Sequence, residues 1–134
     1  MINIASDRGL MFKIDFYRNN KGESELVEFI QNLNEKANTN KDARIMLKQI
    51  VLHINILSKT GTYSGATFVK HIAEDIWELR PGKNRILFFA WYSNKIVLLH
   101  YFLKTTQKTP KYEIEKAKRE ISDWMERNEI HEKQ

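Results

Sequence analysis

Arg80, Lys83, Arg85, His100, Lys104 and Lys108 stand close together in the chain, and their types suit work on a phosphate. A guanidinium grips two phosphate oxygens at once and keeps its charge at any physiological pH. Imidazole is the side chain that most readily exchanges a proton near neutrality. A lysine serves as a base only where neighbouring cations favour its neutral amine, a condition that Lys70, Lys104 or Lys108 could meet in such company. The surrounding chain supports the theme. From Lys70 to Lys111 the basic residues are Lys70, Arg80, Lys83, Arg85, Lys95, Lys104, Lys108 and Lys111, against Glu74, Asp75 and Glu78. The whole chain carries a formal charge of +5, which favours a polyanionic partner.

These residues need elements to hold them. "MFKIDFY" alternates Phe12, Ile14 and Phe16 with Lys13, Asp15 and Tyr17, the period of a half-buried strand. In "ELVEFIQNLNEK", Leu26, Phe29, Ile30 and Leu33 form one helical stripe. A second helix follows, with Asn40 as its N-cap, an apolar stripe of Met46, Leu47, Ile50, Val51, Ile54 and Leu57, and Gly61 as its stop. From Thr67 the pattern becomes β, in "TFVKHI", "DIWELR", "NRILFFAWY" and "KIVLLHYFLK", with breaks at Pro81-Gly82 and Ser93-Asn94. A last helix is expected to use Thr109 as cap and Pro110 at its first position, with Ile114, Ala117, Ile121 and Trp124 facing inward. The expected class is α+β: an N-terminal strand, a helical hairpin, an antiparallel β-sheet and a C-terminal helix.

With 134 residues the chain reads as a single domain over 1–134, long enough to bury a real core. Residues 1–10 read as an N-terminal extension, with Met1 and Met11 as alternative starts, and 128–134 as a polar tail. The absence of cysteine excludes disulfides, thiolate nucleophiles and cysteine-ligated zinc, and fits a cytoplasmic location. No signal peptide or membrane-spanning segment is legible, so no membrane role is expected. His53, His71 and His131 lack the spacing of a metal site, and no glycine-rich phosphate loop or serine-nucleophile motif is present. No metal and no cofactor are expected.

Tight two-residue loops at both β breaks would pair Arg80 with Lys83 and Tyr92 with Lys95. Counting from those pairs sets Glu78 opposite Arg85, Arg85 opposite Phe102, Leu87 opposite His100 and Lys83 opposite Lys104, all on one face. Trp77, Leu79, Ile86, Phe88, Leu99, Tyr101 and Leu103 would form the wall against the helices. Lys108 and the start of the last helix would join the basic cluster, where unpaired N–H groups attract phosphate.

The stretch from "IWELR" through "RILFF", "HYFLK" and "KTP" resembles the phage-derived, HigB-like branch of the RelE/ParE toxin superfamily, over roughly Met11 to Arg127. The resemblance implies a RelE-like fold with two helices on one side of a small antiparallel sheet. It implies the toxin of a type II toxin-antitoxin system, a metal-independent endoribonuclease (mRNA interferase) that cuts mRNA on the translating ribosome. Its partners would be mRNA, the ribosome and a neutralising helix-turn-helix antitoxin of the HigA-like kind. The family's basic sheet residues match Arg80, Arg85 and Lys104, and less closely Lys70 and Lys108. No single position matches its acid/base residue.

Such cleavage needs a 2′-OH to attack the neighbouring phosphate, a base, an acid and cations for the developing charge. Arg80 and Arg85 suit the charge; His100, Lys104 and Lys108 are the catalytic candidates for proton transfer; Lys70, Lys83 and Tyr112 would contact RNA, Tyr112 by stacking on a base or as an acid. The competing readings are ordinary. Arg80 and Arg85 could pair with Glu78 on a solvated face, His100 could be a core histidine, and the lysines could be soluble strand and loop ends. Phe88, Phe89, Trp77 and Trp91 read as core. Two other functions remain open: a non-catalytic, ParE-like gyrase inhibitor, and a simple nucleic-acid-binding module.

Overall fold

The computed structural model describes residues 11–92 and 94–133. The extension expected over residues 1–10 lies outside the described residues. In chain order the elements are β1 (Lys13–Phe16), α1 (Glu25–Lys36), α2 (Lys41–Thr60), a short 3-10 turn (Gly61–Ser64), β2 (Val69–Ala73), β3 (Ile76–Leu79), β4 (Asn84–Trp91), β5 (Lys95–Leu103) and α3 (Lys111–Lys133). The sheet order is β1-β5-β4-β3-β2. β2 to β5 form an antiparallel meander, and β1 joins β5 in parallel, pairing Lys13 with Lys95 and Phe16 with Leu98. The result is an α+β, RelE-like fold with a mixed five-stranded sheet.

Local chemistry starts the helices where the sequence says it should. Ser24 accepts from the Val27 N–H at 3.1 Å and Asn40 from the Ala43 N–H at 2.9 Å, each satisfying a donor that the first turn leaves free. α2 ends at Gly61, whose N–H bonds the Leu57 carbonyl at φ +57° and ψ −138°, a conformation that side chains disfavour. α3 begins differently from expectation. Thr109 does not cap it, because its hydroxyl donates to Glu78 Oε2 at 2.8 Å; the Pro110 carbonyl instead accepts from the Glu113 and Ile114 N–H groups. α3 also continues to Lys133, through residues read from sequence as a polar tail.

The sheet is covered on both faces. On one, Leu26, Ile30 and Leu33 of α1 and Ile50, Ile54 and Leu57 of α2 bury against Leu79, Ile86, Phe88, Ile96 and Leu98, with Phe12 just before β1 and Ile14 and Phe16 of β1 packed alongside. Phe29 stacks on Tyr101 with ring centroids 4.1 Å apart. On the other, Ala117, Ile121 and Trp124 of α3 bury against Ile76, Leu87, Phe89, Val97 and Leu99. Each fully buried Leu, Ile or Phe adds about 1.5–3 kcal/mol, so both layers carry stability. α1 and α2 are the two helices on one side that the resemblance implies, and α3 covers the other side.

Both hairpins depart from the tight-loop register. Glu78 faces Leu87, not Arg85, and Leu79 faces Ile86, so the β3–β4 connection is longer than two residues. The Arg80 N–H turns away to the Phe68 carbonyl, Pro81 has no N–H to offer the ladder, and Gly82 sits at φ +58°. Because the slip is two residues, Glu78 and Arg85 keep their faces. In β4–β5, Arg85 does face Phe102, but Trp91 rather than Tyr92 faces Lys95. A bulge between Ile86 and Phe88 absorbs the difference. Leu99 and His100 therefore stand where a single partner for Leu87 was expected, and both turn toward α3. That moves Leu99 off the α1–α2 wall. Leu103, also expected in that wall, is 55% exposed.

A polar tie anchors the far half of α3. The Tyr17 hydroxyl donates to Asp123 Oδ2 at 2.7 Å, and Arg127 donates to the same oxygen at 2.7 Å and to the Arg18 carbonyl. Burial, with the Asp123 hydrogen bond and charge behind it, pushes the Tyr17 phenol up to about 12. The Arg127 and Tyr17 hydrogen bonds hold Asp123 below its ordinary value.

Two outcomes follow from these contacts. A methyl added at Gly61 would lie 2.8 Å from the Phe12 ring at a strained dihedral, so Gly61→Ala should destabilise by about 1–3 kcal/mol in urea unfolding. Since Tyr17 keeps its proton more tightly folded than unfolded, its contribution is intact below pH 10.0 and is lost as the pH rises through about 12. Melting curves across that window should fall less steeply with pH in Tyr17→Phe than in the wild type.

Candidate phosphate-binding site

The basic residues meet where β3, β4 and β5 run out into loops. Glu78, Arg80, Arg85, Phe102 and Lys104 line a shallow cleft whose remaining wall is the loop from Thr105 to Pro110, Lys108 included. The loop is pinned at both ends. The Lys104 N–H bonds the Lys83 carbonyl at 2.8 Å, and Thr109 is tied to Glu78. Between them the Thr106 hydroxyl donates to the Lys108 carbonyl at 2.7 Å.

Glu78 is the centre of the cleft. It is 4% exposed, with Oε1 3.7 Å from Arg85 Nε and 3.9 Å from Arg80 Nε, while Oε2 accepts from Thr109. Neither arginine contact is short enough to be a hydrogen bond. Arg80 Nε is buried without a hydrogen-bond partner, although Arg80 Nη1 donates to the Ala66 carbonyl at 3.2 Å. Lys104 and Lys108 are exposed, and neither has a carboxylate within 4 Å among the described residues. Four cations thus share the cleft with one buried carboxylate, an arrangement that attracts an anion.

Arg85 has a different position from the other three. It is 7% exposed, and Nη1 donates to the Gly82 and Asn84 carbonyls at 2.8 Å each, closing the irregular β3–β4 loop. Burial pushes its pKa below the ordinary arginine value, opposed by Glu78 and reinforced by Arg80. A guanidinium nevertheless stays charged, so Arg85 contributes potential to the cleft while holding the loop.

His100 does not reach the cleft. It is 1% exposed, and its Nδ1 lies 2.6 Å from Glu120 Oε1 and its Nε2 2.9 Å from Glu113 Oε1, both on α3. A neutral imidazole can donate through one nitrogen only, so satisfying both contacts requires a second proton on the ring or one on a glutamate. The trio pins α3 to the bulge of β5. Its carboxylates sit on opposite ring nitrogens and cannot converge with the ring on one metal ion. Lys70 shares the face of Glu78 through their cross-strand pairing and is exposed, but it, Lys83 and Tyr112 lie outside the cleft lining. Tyr112 is 70% exposed on the first turn of α3.

Sequence reasoning treated Glu78 only as a competing ion-pair partner and gave Thr109 to the helix. The signal for Glu78 was available: in "ELR" it alternates onto the same face as Arg80. The link to Thr109 joins residues far apart in the chain and leaves no periodic trace.

A sheet with a helical hairpin on one face, a long helix on the other and a cationic cleft at one end defines a small RelE-like protein. The family described as "Phage derived protein Gp49-like (DUF891)" matches residues 26–122. The chain belongs to this Gp49-like phage-derived family, a family of RelE/HigB-like toxins. No curated protein matches the chain. No helix among the described residues is long and apolar enough to cross a membrane.

Removing His100 would leave Glu113 and Glu120 without their hydrogen-bond partner at the α3 interface, and losing the partner of a buried polar group costs about 1–3 kcal/mol. His100→Ala should shift the urea midpoint accordingly, and adding Glu113→Gln with Glu120→Gln should recover part of the loss.

Proposed function

We propose that this chain is the toxin of a type II toxin-antitoxin system, of the HigB-like branch, and that it is a metal-independent endoribonuclease acting on mRNA carried by translating ribosomes. It acts as one domain in the cytoplasm, and its neutralising partner is a helix-turn-helix, HigA-like antitoxin. The observation that carries the reading is the cleft of Arg80, Arg85, Lys104 and Lys108, in which four cations outnumber the single buried carboxylate of Glu78. Membership of a toxin family supports it.

In this reading the scissile phosphate enters between Arg80 and the Thr105–Lys108 loop. Arg80 offers a side chain that is 30% exposed, Lys104 and Lys108 offer exposed ammonium groups, and Arg85 adds charge from behind. These groups favour the pentacoordinate phosphate formed when the 2′-OH attacks, because negative charge grows there in the transition state. Of Lys104 and Lys108, one takes the 2′-OH proton and the other protonates the 5′ oxygen as its bond to phosphorus breaks, leaving a 2′,3′-cyclic phosphate. His100 supports the site from beneath by fixing β5 and α3, and Tyr112, exposed two residues beyond the cleft-lining Pro110, offers a ring for a base to stack on.

One observation favours a second reading, a ParE-like gyrase inhibitor without catalysis: the imidazole best suited to proton transfer is sealed between two glutamates.

Mapping of RNA 5′ ends after brief induction in a bacterium, with DNA supercoiling read from the same cells, separates the two. The nuclease reading expects new ends within coding regions, reduced about 100-fold by Arg80→Ala or Lys104→Ala, a loss typical of removing one transition-state donor. Growth arrest with intact mRNA and altered supercoiling would transfer the protein to the gyrase-inhibitor class. Arg85→Ala is a poorer probe, because it also releases the Gly82 and Asn84 carbonyls.

A further inference from the structure

We infer that Glu78 is a positioning residue: its carboxylate aligns the Arg80 guanidinium with the Thr105–Thr109 loop so that both address one phosphate. This rests on the nuclease reading above. A buried carboxylate in an anion-binding cleft needs a reason, since it repels the very group the cleft is built to take. Its two oxygens supply one. Oε1 faces both arginines and Oε2 holds Thr109, so the single side chain links β3, β4 and the loop that carries Lys108. The arginine contacts, at 3.7 and 3.9 Å, are charge contacts without a hydrogen bond. They orient Arg80 without engaging it in a hydrogen bond, and its side chain, 30% exposed, still faces an incoming phosphate.

Charge and tether can be separated. Glu78→Gln keeps the size and an oxygen for Thr109 but removes the charge that orients Arg80. Thr109→Val keeps the charge and frees the loop. The two effects of Glu78→Gln have opposite signs. Losing a negative charge beside four cations strengthens attraction for RNA, whereas losing alignment slows the chemical step, since misplaced groups forfeit transition-state contacts. A variant that merely folds less well behaves differently: it requires more protein to reach the same plateau.

The test is single-turnover cleavage of an end-labelled mRNA in a reconstituted translation system, with the full chain in excess over a range of concentrations. Glu78→Gln should lower the plateau rate by about tenfold or more with a half-saturating concentration no higher than that of the wild type. A smaller fall, or any rise in the half-saturating concentration, overturns the assignment. Thr109→Val should lower the plateau about threefold or more, and a smaller change would remove the loop from the role of Glu78. If the wild-type chain cuts nothing, the nuclease reading itself fails and the role of Glu78 goes with it; cleavage by the wild type with an unaffected Glu78→Gln rejects the positioning role alone.

Discussion

β4 and β5 are dry on both faces. Helices α1 and α2 cover one side and α3 the other, and the central residues from Ile86 to Phe89 and from Ile96 to His100 are all buried. That constraint governs the remaining structure. A polar group on these strands is costly unless it finds a partner inside the protein, because an unpaired buried donor or carboxylate costs more than any single packing contact repays; Asn84 Nδ2 and Trp91 Nε1 on β4 are buried without one. His100 meets the demand with two glutamates, Arg85 with two loop carbonyls, and Glu78 with two arginines and a threonine. Each solution ties a central strand to a neighbouring segment. The polar groups therefore serve as the joints of the fold, and the apolar layers supply its stability.

The cleft inherits its shape from these joints. Lys104 and Lys108 lie on a loop that would otherwise be free, and it is held by the Lys83 carbonyl at one end and Glu78 at the other. Arg85 supports the floor while Arg80, less buried, faces the opening. Residues that look alike in the sequence thus divide into a structural arginine and an accessible one. The division depends on burial, which charge and spacing alone do not reveal.

Much of the fold was legible because its signals are local. The caps at Asn40 and Gly61, the stripes of α1 and α2, and the alternation of β1 all rest on residues a few positions apart. The basic cleft was legible too, since Arg85 does face Phe102 and a two-residue slip in the β3–β4 loop left every side chain on its face. Other features were not. The bulge at Leu99 and His100 depends on how α3 packs, and nothing in "LLHYF" marks it. The burial of both sheet faces was written in the unbroken runs "ILFF" and "IVLL", which alternation of a one-sided sheet does not allow. Thr109 was misassigned because a threonine before a proline suits a helix cap as well as it suits a distant carboxylate, and only the tertiary fold decides.

The parallel pairing of β1 with β5 has a consequence for how such a chain comes into being. β1 is made early, yet its hydrogen-bonding partner is translated about eighty residues later. Loop closure over that distance must precede any reward, so this edge of the sheet stays open until β5 has been made. The cleft forms on the same late strands, from Glu78 to Pro110. A nascent chain therefore has no assembled cationic cleft until β5 and the loop after it have been made.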